Sequence, residues 1–238
     1  MTETNPFQSP DAELQIEAEE LQTVVIMYPL APAQLWKLFL QPGEFFARHV
    51  RIEAPLSTLL VTYLLGMVNV MDRVDQKLIQ KDLGKAAGMS LQLLGSWGSY
   101  WMLVMLGGIL SAIVSWYVGG WWFKMRVKWS GATVVDPRQA RLIYVYAYFI
   151  LNLPILLVAL YQTLRFSDYS QAWEASEMTT SIITLLMLVW SCVVGYLGVK
   201  AKFDVIPWRA FLWFVVLPVT LVGAAMAFLI YAYFMLEG

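Results

Sequence analysis

Few residues of this chain have the type and spacing for chemistry, and those few suit binding better than bond-making. His49 is the one histidine and Cys192 the one cysteine, so a zinc site built on His and Cys is all but excluded and no intrachain disulfide can form. His49 stands beside Arg48 and Arg51, a setting for an interfacial side chain rather than a general base. There is no phosphate-binding glycine loop, no paired-histidine motif and no serine–histidine pair lying in apolar segments. No catalytic residue, no metal and no cofactor is therefore expected. The polar groups in apolar surroundings are amides and hydroxyls, chiefly Asn69, Asn152 and Gln162. Asn152 precedes Leu153-Pro154, and a proline within a helix removes a donor and opens a carbonyl. Asn152 and Pro154 thus mark a kink with a local hydrogen bond or, as the alternative, a polar groove.

Two further groups carry charge beside bulky apolar side chains. Trp36, Phe39, Phe45, Phe46 and Arg48 fall in a segment, 32–53, that is too short and too broken to span a bilayer. Such a mixture suits a helix lying in the headgroup region or packed on a bundle, and Pro42 divides it into two short helices. Lys124, Arg126 and Lys128 alternate with Met125, Val127 and Trp129. An extended segment would set all three cations on one side, facing anionic headgroups or acting only as orienting charge.

The elements that must position these residues are apolar. Five runs carry no charged residue: Ala54–Met71, Ala86–Phe123, Leu142–Leu164, Met178–Val199 and Ala210–Leu236. A span needs roughly 17–25 apolar residues. The chain is 59% hydrophobic and 14% charged, with a mean hydropathy of +0.61, whereas soluble domains carry about 25% charged residues. The expected fold is all-α, a polytopic integral membrane protein of five transmembrane helices at 54–71, 97–123, 142–164, 178–199 and 210–236. Trp97, Tyr100 and Trp101 mark one interface of the second span, and Trp116, Tyr117, Trp121 and Trp122 the other. Between the first two runs, Val74, Leu78, Ile79, Leu83 and Ala86 recur at helical spacing, predicting a continuation of the first span or an amphipathic outer helix. The absence of Asp, Glu, Lys or Arg well inside any span argues against proton or ion relays, and a net charge of −1 argues against nucleic acid as a partner.

Orientation follows from the connections. With an inner N-terminus, eleven Lys and Arg lie inside (residues 37, 48, 51, 124, 126, 128, 138, 141, 200, 202 and 209) and five outside (73, 77, 81, 85 and 165). This predicts a cytoplasmic N-terminus and an outer C-terminus. Residues 1–31 read as an acidic, largely disordered tail, with Leu21–Leu30 as a patch for local packing or a partner. A polar, acidic start without an apolar core predicts no cleavable signal, so the first span serves as the insertion signal. Asp136 precedes Pro137 as the cap of a third long helix. Small residues one turn apart, Gly108 with Ala112 and Gly223 with Ala227, join Gly119, Gly120, Gly195 and Gly198 as positions where helices approach closely. Packing within the chain is expected, with a homo-oligomer as a further possibility.

Several of these stretches resemble the Yip family of Ypt/Rab-interacting membrane proteins (the Yip-one domain). They are Pro42-x-x-Phe45-Phe46, the glycine-rich second span ending in Gly119-Gly120, and Tyr144-Val145-Tyr146-Ala147 followed by Asn152-Leu153-Pro154. Trp190 with Gly195, then Pro207, Arg209 and Ala210, is similar to the family's closing segment. Where eukaryotic members carry Asp-Leu-x-Gly-Pro, this chain has Arg51-Ile52-Glu53-Ala54-Pro55-Leu56, which looks like the bacterial-type branch. The resemblance implies a non-enzymatic scaffold or adaptor that binds membrane lipids and protein partners through its tail or spans. The alternative is a lipid or small-solute transport component with a groove open to the bilayer. The expected location is a bacterial inner membrane, or an ER/Golgi membrane for a eukaryotic chain.

Overall fold

The structure, a computed structural model, describes residues 32–48, 55–82, 96–175 and 178–237. The acidic tail with its Leu21–Leu30 patch, His49, Arg51 and the 83–95 connection lie outside the described residues.

All described elements are helical. Helices α1 (Pro32–Leu40) and α2 (Pro42–Arg48) are followed by α3 (Pro55–Asp82). Next come α4 (Trp97–Trp129), α5 (Pro137–Arg165), α6 (Tyr169–Glu174), α7 (Met178–Lys202) and α8 (residues 207–237). Five of them, α1, α2, α3, α5 and α8, open on a proline. At the first helical position its missing N–H costs nothing and its φ is already helical. At α5 the Asp136 carboxylate also accepts a hydrogen bond from the Arg138 N–H at 2.9 Å.

Among the described residues, four helices are long and apolar enough to cross a membrane: Trp97–Trp129, Pro137–Arg165, Ile182–Lys202 and Pro207–Phe228. Helix α3 is comparably long, with 28 residues, but its last three turns carry Asp72, Arg73, Asp75, Lys77, Lys81 and Asp82. The helical continuation expected after Met71 is therefore present as far as Asp82.

One expectation is corrected. The 124–128 stretch is not extended: α4 continues to Trp129. A helix turns by about 100° per residue, so Lys124 and Lys128 share a face and Arg126 points the opposite way.

Two apolar cores hold the bundle. One gathers Phe45, Phe46, Phe123, Ile143, Tyr146 and Phe214; the other gathers Met67, Met71, Val74, Tyr100, Val104 and Tyr169. Helix α5 contributes to both. Of its apolar stretch 56% is buried, against 22% for α4, 28% for α7 and 6% for α8. Helix α5 is the most buried of the four, whereas α8 joins the core through Ala210 and Phe214 and, among the described residues, is largely exposed beyond Thr220.

Without a water-driven collapse between helices in lipid, close backbone approach has to hold the packing. The tightest crossing is α3 on α4. A Cβ on Gly66 would lie 2.6 Å from the Ala112 nitrogen and 2.8 Å from its Cβ, and one on Gly108 would lie 2.9 Å from Met67 Cγ. Beside this crossing Asn69 Nδ2 donates to Ser115 Oγ at 2.8 Å, and the Tyr63 hydroxyl donates to the Met105 carbonyl at 3.2 Å.

Candidate functional site: an arginine-flanked groove on the bundle

A groove of about 730 Å³ lies between α3, α4 and the first turns of α5. Its walls are apolar, with Leu59, Ile109 and Ile113 among them, and Trp116, Tyr117, Arg138 and Arg141 complete one part of the lining. The arginines are three residues apart on one helix and so project from one face. Among the described residues neither forms an ion pair; the pairs present are Lys37–Glu44 and Arg48–Glu44, both at 3.4 Å.

Arg141 is held in place by its neighbours. Its guanidinium carbon lies 5.7 Å from the Trp116 ring centroid and 5.1 Å from that of Tyr117, within the range of cation–π attraction. Its stem crosses Gly120, where an added Cβ would collide with Arg141 Cγ and lie 3.3 Å from Cδ. Gly119 does the same for Tyr144, whose Cε1 would be 2.8 Å from a Cβ there. Gly120 thus seats Arg141, which borders the groove, and Gly119 seats Tyr144 against the core beside it. The two glycines sit at the end of a π-helical turn, Ser115–Gly119, of the sort often found at functional positions.

Arg126 is used differently. It is 8% exposed, and its Nε and Nη2 donate to the Trp213 carbonyl at 3.1 and 2.7 Å. The reason lies in α8. Residues Leu212–Val216 form a π-helical turn in which the Leu217 N–H bonds to the Leu212 carbonyl. The next donor in that i+5 pattern would be residue 218, which is proline and has no N–H. The Trp213 carbonyl is left without a helical partner, and Arg126 supplies one from α4. The guanidinium also lies 4.3 Å from the Phe214 ring centroid. Beside it is a cavity of about 30 Å³ bordered by Tyr148, Ser191 and Cys192.

The remaining residues singled out by sequence divide between surface and interior. Trp36 is 67% exposed and Phe39 partly buried, its carbonyl accepting the Trp190 Nε1–H at 3.1 Å. Phe45 and Phe46, expected at the membrane surface, lie wholly inside the chain's own core. They pack edge-to-face at 5.4 Å, with Phe45 against Tyr146 at 5.6 Å, and Gly198 leaves the room that Phe46 occupies. The reason is that α2 docks on α7, where Lys202 Nζ donates to the Ala47 carbonyl at 3.2 Å. Arg48 is exposed and paired with Glu44. Lys128 is exposed and Lys124 half-buried, and neither lines the groove. Asn152 is 2% exposed; its amide nitrogen meets no acceptor among the described residues. Neither Asn152 nor Pro154 borders the large groove. A Cβ on Gly195 would make only ordinary contacts, 3.8 Å from Ala147 Cβ, whereas one on Gly223 would meet nothing within 4 Å; Ala227 is exposed.

Three features escaped the sequence. Gly66 has no glycine or alanine one turn away, only Thr62, so the spacing of Gly and Ala did not flag it. Arg138 and Arg141 were visible only as orienting charge, although their spacing behind the Asp136-Pro137 cap already places them on one helical face. The third is a cluster where α3, α4 and α6 meet, in which the Tyr169 hydroxyl donates to the Asp75 carboxylate and the Tyr169 ring stacks on Tyr100 at 4.2 Å. Burial pushes the Asp75 carboxyl up to about 6, the charge of Asp72 adds to the rise, and the bond from Tyr169 opposes it. Burial likewise raises the Tyr169 hydroxyl.

Comparison with known proteins bears on the whole bundle. Neither the curated proteins nor the solved structures yield a match. A family model described as Yip1 domain matches residues 36–229, from α1 through most of α8, so the groove, the Arg126–Trp213 link and both cores lie inside the matched region and the chain belongs to the Yip1 domain family.

Proposed function

We propose that this chain is a non-enzymatic membrane adaptor that meets its partners through helix surfaces within the bilayer and through its N-terminal segment. The observation that carries this reading is the second half of α8, which is exposed at most of its described residues after Thr220. After Pro218 it presents Leu221, Met226, Phe228 and Tyr231, each close to half exposed or more. The first turns of α8 join the core through Ala210 and Phe214, but the part beyond Pro218 is free to pack against a neighbouring protein or a second copy of the chain. Trp36 on α1 offers a second, interfacial contact. In this reading α3 is the first of five spans, the N-terminus is cytoplasmic and the C-terminus is outside, in a bacterial inner membrane. The basic residues of the α4–α5 connection and of the end of α7 support that orientation.

Photo-crosslinking from positions 221 and 228 in intact membranes tests the adaptor reading. A discrete adduct, to a second copy or to another membrane protein, is expected. Adducts to lipid alone at both positions would refute it. Reporter fusions test the topology: a periplasmic-type reporter should be active after Gly238 and inactive near Ser130, and the reverse would overturn the orientation. A second reading, a lipid transport component, draws support from the groove's opening along the flank of the bundle. Lipid exchange between liposomes, accelerated by the purified chain, would favour it over the adaptor.

A further inference from the structure

We infer that the groove between α3, α4 and α5 is a binding site for one anionic phospholipid. In this arrangement the phosphate sits on Arg138 and Arg141, and an acyl chain lies along Leu59, Ile109 and Ile113. The inference deepens the reading of the chain as a membrane adaptor, since it names the lipid that the bundle holds.

Three observations converge on it. The first is charge. Arg138 and Arg141 border the groove with no ion-pair partner among the described residues, and the nearby Asp136 carboxylate is engaged in capping α5. Two guanidiniums on one helical face offer the forked donors that suit a phosphate. The second is pre-organisation. Arg141 is confined between the Trp116 and Tyr117 rings and the bare backbone of Gly120. An anion would therefore meet a cation already in place, which lowers the ordering cost of binding. The third is the layout. A space of about 730 Å³ is the size of a small-molecule site, but its walls are mostly apolar, with the Thr62 hydroxyl spent on the Thr58 carbonyl at 2.6 Å and the Tyr63 hydroxyl on the Met105 carbonyl at 3.2 Å. A soluble phosphate compound would leave that wall bare. A lipid matches both halves.

The test uses the full chain, purified in a neutral detergent and titrated with phosphatidylglycerol or phosphatidylcholine while bound lipid is counted by native mass spectrometry. One phosphatidylglycerol should bind in preference to phosphatidylcholine. Arg138→Gln/Arg141→Gln should lower its affinity roughly ten- to thirtyfold, from about 1 kcal/mol for each basic residue near an anionic surface. Ile113→Trp, which fills the groove and spares both arginines, should lower binding of both lipids. Lys124→Gln/Lys128→Gln removes as much charge outside the groove and should leave the preference unchanged. An equal loss in that control would mean diffuse attraction and overturn the proposal, as would full displacement of the lipid by millimolar inorganic phosphate or unaltered binding in Ile113→Trp. Thermal unfolding of each variant separates loss of the site from loss of the fold. The crosslinks from α8 report on the adaptor reading separately, so either can fail while the other stands.

Discussion

Replacing Gly66 by alanine adds one methyl group where α3 and α4 touch, and the geometry sets its cost. The new Cβ would stand 2.6 Å from the Ala112 nitrogen and 2.8 Å from its Cβ, and would also collide with the Gly108 carbonyl oxygen. Two of these three atoms are backbone, so no side-chain rotation relieves the clash. Carbon atoms pack best at about 3.5–4.0 Å, and a gap of 0.5–1 Å forfeits roughly a quarter to a half of each dispersion contact. Moving the helices apart by that amount loosens the Met67–Gly108 contact and strains the Asn69–Ser115 hydrogen bond. Overpacking of this kind costs about 1–3 kcal/mol, partly offset by up to about 1 kcal/mol from the better helix propensity of alanine. Gly223→Ala is the matched control, because its Cβ would meet nothing within 4 Å; it should keep or slightly raise stability. Thermal unfolding in mild detergent, followed by tryptophan fluorescence, should place Gly66→Ala about 2–12 °C below Gly223→Ala, taking roughly 2–4 °C per kcal/mol. Equal midpoints would show that the α3–α4 crossing has slack, and the packing argument would fail.

Other perturbations bear on the remaining contacts. Arg126→Ala leaves the Trp213 carbonyl unpaired and should cost about 2–4 kcal/mol, from a charged hydrogen bond and a ring contact. Pro218→Ala restores an N–H to α8 and should recover part of that loss in the double variant; a strictly additive double-mutant cycle would refute the link. Phe45→Ala should cost about 3–5 kcal/mol and Trp36→Ala within about 0.5 kcal/mol, and comparable midpoint shifts would contradict their separation into core and surface. For Asp75, whose carboxyl rises from 3.8 to about 6, the folded state binds more protons than the unfolded state between those values. Stability from this group is thus fully present below about pH 4 and is lost as pH rises through about 6. Asp75→Asn should flatten the pH profile in that window, and an unaltered slope would assign the dependence to another group.

Much of the fold is legible along the chain because hydrocarbon is an unforgiving solvent. A segment that crosses it must be apolar over its length and must satisfy its own backbone, which restricts it to a helix. The helices containing Trp97–Phe123, Leu142–Leu164 and Met178–Val199 are visible for that reason, and the prolines at 32, 42, 55, 137 and 207 mark where helices begin. The phase of side chains is harder to read. At 124–128, alternation suggested an extended strip of cations, but once α4 runs on to Trp129 a change of period turns Arg126 inward. In α2, Phe45 and Phe46 have a composition that fits a membrane surface and a core equally well; the docking of α2 on α7 decides for the core.

What this sequence determined alone is its solvent, its helical segments and its membership of a family whose pattern runs from residue 36 to residue 229. These follow from local composition, and every residue contributes to them independently. Tertiary structure alone decided that Arg126 serves a carbonyl 87 residues away, that Tyr169 reaches Asp75 across 94 residues, and that Arg138 and Arg141 border a groove. Each of these depends on the rotation of one helix against another, and that rotation is set by which small residues let the backbones touch. Gly66 lets α3 and α4 touch and Gly120 seats Arg141, and their meaning appears only when the partner helix is in place.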